Sequence, residues 1–372
     1  MKKDYTKTDE VIRTEIFNSL RKYLNNKLSL DEFKQLSIYL SEQNPYIGKK
    51  LMPVEVFRNN NNSSRMNENT NAFYTPDTGK ISVNEFFLAK RLFHTDITET
   101  IDAEVPINEC CAVDFNRLLT TLGHEMKHYF QFKNVMNTEI KSHDKFYTYL
   151  NKLTNSIIYN DKEPISPVIK INSTIKFFKN NTNDEYFKKL NGNSINNLVH
   201  ACYLKLFHET DARISSFHFA KGMIKTLLND PLISKYPDVR QMLQNSSKLL
   251  KNQEINYSKD DSYKNLICAE EFSAHIINDL LTNKVPSDAL QQINTLELQC
   301  ISSMICLSSD TDKIQDVINL TTDTCAPLAM HLFGYANKIF PEKELQIDEK
   351  KLKANMYKFY NPDCEFINKL EV

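Results

Sequence analysis

Along most of this chain, apolar residues recur three and four positions apart, and strict alternation occurs only over one short region. Val11, Ile12, Ile16, Leu20 and Leu24 share one face over residues 5–24, which predicts an amphipathic helix. Residues 30–42 continue as a second helix, with Ser29 as N-cap and Phe33, Leu36 and Leu40 on one side. "NPYIG" then breaks the pattern. "PVEVF", from residue 53, reads as a short strand, and "RNNNNSSRMNENTN", 58–71, as a polar loop. "AFYTPDTGKISVNEFF" places Phe73 and Tyr74 before a proline- and glycine-containing turn, and "KISVN" alternates after it, which predicts a hairpin.

Helical spacing returns in "LLTTLGHEMKHYFQF", 118–132, and beyond residue 133 almost no strand pattern is found. Residues 194–228 form one or two helices, and 265–281 another. The remainder reads as helices joined by short polar turns. The expected fold is α+β and mostly α-helical. It divides into an N-terminal helical pair (1–45), a central region with a small antiparallel or mixed sheet (46–285), and a C-terminal helical region (286–372). Residues of about 133–195, rich in lysine and asparagine, read as a helical insertion in the central region.

Composition changes this picture little. With 372 residues, 41% of them hydrophobic and 25% charged, the chain is an ordinary globular protein. Its 46 basic and 47 acidic residues leave a net charge of −1, so bulk charge favours neither nucleic acid nor an anionic membrane. The basic, aromatic run 350–360 reads as a solvated amphipathic helix. No apolar run approaches the ~18 residues that span a bilayer. "MKKDYTKTDEVIRTEIF" has no apolar core, so no secretory signal is expected, and the expected location is cytoplasmic. The eight cysteines form no C-x-x-C pair, so thiolate metal ligation is not expected, and adjacent Cys110 and Cys111 read as small buried residues. With six glycines, the chain holds no P-loop, no G-x-G-x-x-G and no G-x-S-x-G.

The chemistry concentrates in "HEMKH". Positions four apart lie one above the other on a helix, so His124 and His128 present two imidazoles at one point. Glu125 lies about 100° round the helix, able to reach a water there without being a ligand. Leu118, Leu119, Leu122, Met126, Tyr129 and Phe130 supply apolar surface to bury the helix, and Gly123 is small where a neighbour can approach closely.

His124, Glu125 and His128 match the H-E-x-x-H motif, and the sequence here resembles the zincin superfamily of zinc metallopeptidases over residues of about 53–132. The resemblance implies Zn2+ as cofactor, a small sheet packed on the active-site helix, and a protein or peptide substrate. It also implies Glu125 as the base that activates a zinc-bound water. The metzincin extension is absent after His128, which leaves the gluzincin arrangement, with a third ligand from a later helix. Glu209 in "LFHETDARISSF" is the leading candidate, since Glu209, Ala212, Arg213 and Ser216 share a face. Glu270, Glu271 and Asp211 are rivals. The oxyanion needs a further donor, for which His208 and His275 are the suggested residues. The alternative is a catalytically inactive zincin-like or helical protein-binding module.

Overall fold

A computed structural model describes residues 5–29, 31–33, 35–36, 40, 54–57, 71–75, 79–84, 107–137, 145–159, 167–259, 261–308 and 310–360. In chain order the elements are α1 (Tyr5–Leu24), β1 (Val54–Phe57), β2 (Ala72–Thr75), β3 (Lys80–Asn84), α2 (Ile107–Asn137), α3 (Lys145–Tyr159), α4 (Pro167–Asn181), α5 (Glu185–Lys189), α6 (Gly192–Lys205), α7 (Phe207–Asn229), α8 (Pro237–Lys259), α9 (Asp261–Leu281), α10 (Ser287–Gln291), α11 (Thr295–Ile305), α12 (Thr311–Thr324), α13 (Ala326–Ile339) and α14 (Glu349–Tyr360). Among the described residues the fold is thus mostly helical with one small sheet. The polar loop read over 58–71 lies outside the described residues except for its last position, as does the side chain of Cys110.

Two compact units interleave in sequence: 1–132 with 211–258, and 133–210 with 259–372. The three consecutive regions expected from the sequence divide at other places.

In the first unit, α1 buries Ile16, Phe17 and Leu20. The next turn ends in a capping box. Ser29 Oγ accepts from the Glu32 amide, and the Glu32 carboxylate accepts from the Ser29 amide. Phe33, Leu36 and Leu40 follow, all buried, at helical spacing. The sheet order is β1–β3–β2, with β1 parallel and β2 antiparallel to β3. The β2–β3 hairpin closes where the Gly79 amide donates to Thr75 O at 2.9 Å, with Gly79 at φ +65°, a left-handed conformation that costs glycine little. Ile81 and Val83, two apart on β3, point to the same face and are buried. They join Phe115, Leu118, Leu119, Leu122 and Met126 of α2, Met223 and Leu227 of α7, and Val239, Met242 and Leu243 of α8 in one core. The sheet and the HEMKH helix therefore share a hydrophobic core.

The second unit is built around α13. Its residues from Ala326 to Ala336 are all buried, as expected for a helix apolar on every side. Helices α3, α11, α12 and α14 pack against it. The span read as an insertion supplies Phe146, Leu150, Ile171, Ile175, Phe178 and Phe187 to this core. Among the described residues, no strand follows residue 84.

Candidate metal centre

Two helices build the site. Helix α2 carries His124, Glu125 and His128. Helix α7 begins after a break at Leu206, whose ψ of 135° ends α6, and whose amide bonds back to Cys202 O and Tyr203 O. The break leaves Glu209 in the first turn of α7, where unpaired amides favour a carboxylate. Glu209, Ala212 and Ser216 are buried on one face, as their spacing predicts. At Gly123, next to His124, a Cβ would lie 2.8 Å from Cδ1 and 3.0 Å from Cβ of Phe219 on α7. The glycine permits that approach.

The imidazoles converge. His124 Nε2 and His128 Nε2 are 3.1 Å apart, and the rings meet edge to face with centroids at 4.6 Å. One donor atom from each of His124, His128 and Glu209 lies within 4.8 Å of the others. Ligand atoms on a tetrahedral ion with bonds of about 2.0–2.1 Å are about 3.3 Å apart, close to the separation of the two nitrogens. Two neutral imidazoles and one carboxylate suit a borderline divalent ion better than calcium or magnesium, which favour all-oxygen sets. The group could hold a metal ion.

Gln131 was not among the residues singled out from the sequence. His128 Nδ1 lies 2.8 Å from Gln131 Oε1, and Gln131 Nε2 donates to Asp211 Oδ2 at 2.9 Å. Lys127 Nζ sits 3.2 Å from the other oxygen, Asp211 Oδ1. Asp211, a rival third ligand in the sequence reading, thus engages Gln131 and Lys127. Gln131 is three residues after His128, a same-face spacing that could have pointed to it.

Glu125 is 7% exposed and Glu209 is 6% exposed, so both carboxylates belong to the interior. His208 Nε2 lies 3.6 Å from Glu209 Oε1, which makes it a neighbour of the site. His275 is held elsewhere, in the second unit. Its Nδ1 is 3.0 Å from Asp184 Oδ2, and its ring stacks on Tyr186 at 4.1 Å. Asp184 also caps α5 through the Tyr186 amide, and Lys284 reaches both Asp184 and Asp279. Glu270 and Glu271 line a separate open cavity with Asp310 and Lys313. Among the described residues, neither they nor His275 join the three-residue group.

Comparison with protein-family models, curated proteins and solved structures gives no match. Among the described residues, no helix is long and apolar enough to cross a membrane.

Proposed function

We propose that this chain is a zinc-dependent metallopeptidase that hydrolyses peptide bonds of a protein or peptide, with a zincin-like core formed by the sheet, α2 and α7. The observation that carries the reading is the convergence of His124, His128 and Glu209 from two helices, with the buried Glu125 beside the first ligand. His124, His128 and Glu209 would hold the ion. Zinc there supplies Lewis acidity, lowering the pKa of water toward ~7 and polarising a carbonyl.

The chain's own residues do the rest. The Glu125 carboxylate accepts a proton from the attacking water and delivers it to the leaving nitrogen. Its place about 100° round the helix from the ligand face leaves it outside the ligand set. His208, 3.6 Å from Glu209, would donate to the developing oxyanion.

The test is metal content per chain, with peptidase activity read alongside. We expect about one zinc in the parent, as a site with three protein ligands and one open position requires, and far less in Glu209→Ala. Glu125→Gln should keep the metal and lose cleavage. A Glu125→Gln protein that cleaves as fast as the parent would rule out this mechanism. A parent that binds zinc yet cleaves no peptide would leave a metal-binding module.

A further inference from the structure

The hydrogen bonds around His128 run in one direction, and the donor and acceptor chemistry of their members fixes that direction. A carboxylate only accepts. Asp211 Oδ2 therefore takes the NH2 side of Gln131, at 2.9 Å, and leaves Gln131 Oε1 turned to His128. An amide oxygen also only accepts, so the His128 nitrogen 2.8 Å away, Nδ1, must carry the proton. The lone pair of the neutral ring is then on Nε2, which is the nitrogen 3.1 Å from His124 Nε2. Lys127 Nζ, 3.2 Å from Asp211 Oδ1, occupies the other carboxylate oxygen with a group that only donates.

We infer that Gln131 and Asp211 are positioning residues that select the metal-binding tautomer of His128, with Lys127 paired to the far oxygen of Asp211. This inference rests on the metal reading of the site for its consequence, and on the hydrogen bonds alone for the tautomer. Its members come from α2 and from α7, where Asp211 stands two residues after Glu209. The start of α7 thus supplies one ligand and orients another.

The relay makes an unusual prediction for an isosteric change. In Asp211→Asn, the new side chain has one accepting and one donating end. Lys127 needs the acceptor, so the amide NH2 faces Gln131. Gln131 then turns its own oxygen toward that NH2 and its NH2 toward His128. The ring answers by moving its proton to Nε2, the position the metal needs. Removing Lys127 as well, in Lys127→Met/Asp211→Asn, frees the asparagine to present its oxygen to Gln131, so the original sense is available again and zinc binding selects it.

Zinc affinity would be measured by competition with a chromophoric chelator, and the His128 tautomer by 15N NMR on the metal-free protein. Asp211→Asn should weaken zinc binding by about 10- to 100-fold, the range typical for partners of metal-bound histidines. Its His128 should carry the proton on Nε2, where the parent carries it on Nδ1. The double variant should regain most of the affinity, with the Nδ1–H form populated again. A side chain that only tied two helices together would give a double variant at least as weak as the single one, and that result overturns the relay. So does an Asp211→Asn protein with the parent's affinity and tautomer. If the parent takes up no zinc, the metal reading fails on its own, and the NMR comparison still decides the relay. Should Asp211→Asn not fold, the parent decides by itself, because a His128 that carries its proton on Nε2 in the metal-free protein overturns the relay.

Discussion

At the scale of single residues, the environment of a histidine decides what it can do. His128 is held by a polar relay at one nitrogen and faces a second imidazole at the other. His331 lies at the opposite extreme. It is buried in α13, and its Nδ1 has no hydrogen-bond partner among the described residues. Burial pushes its pKa down from 6.5 to about 4, because the charged ring would lose its hydration with nothing to replace it. The unfolded chain therefore binds a proton near pH 6.5 that the folded chain refuses until about pH 4. The stability this histidine contributes is complete above 6.5 and is lost as pH falls toward 4. Between pH 7 and pH 5 the loss is about 2 kcal/mol. His331→Leu should remove that part of the pH dependence, read as urea midpoints at the two pH values. An unchanged difference between the midpoints would show that His331 is not its source.

At the scale of elements, the site depends on how closely α2 approaches α7. A methyl group at residue 123 would overlap Phe219, and a helix backbone cannot move away without carrying His124 with it. Gly123→Ala should cost about 1–3 kcal/mol, as overpacking does. It should also weaken zinc binding by about tenfold or more, since the ligands must meet in space. Thermal melting of the metal-free protein and chelator competition read the two effects separately. An alanine variant with the parent's melting temperature and affinity would mean that α7 shifts freely along α2. Gly123 and the two-histidine face were legible because both follow from helix spacing alone. The break at Leu206 was left open, since Leu204, Leu206 and Phe207 carry the apolar pattern through it with no proline or glycine to mark it. The hairpin was legible from its turn residues. The parallel pairing of β1 with β3 was not, because periodicity does not say which strands become neighbours. Gln131 was missed although its spacing from His128 put it on the same face, since its partner Asp211 stands eighty positions later.

At the scale of the whole molecule, local periodicity found the helices but not their grouping. The sequence reading divided the chain into successive regions, whereas the two cores draw on interleaved segments. The first core takes Phe219, Ala220, Met223, Ile224 and Leu227 from α7 and Val239, Met242, Leu243 and Leu250 from α8, far along the chain from α1, the sheet and α2. A fragment ending at residue 132 keeps both histidines and the sheet but lacks that part of its core. It should show no cooperative unfolding transition, because the faces that pack on α7 and α8 would be left exposed. A fragment ending at residue 258 contains every residue of the first core, together with His124, His128 and Glu209. It should unfold cooperatively and still take up zinc. Its segment 133–210 would have lost Phe272, Ile276, Leu298, Ile301, Leu328 and Leu332, the partners on which it packs in the second core. Limited proteolysis should therefore cut the longer fragment between α2 and α7, within 138–206, well before it cuts α2 or α8. Cooperative unfolding of the 1–132 fragment would mean that α7 and α8 are dispensable to the first core. Early cleavage in α2 of the longer fragment would mean that the first core needs the second for its stability.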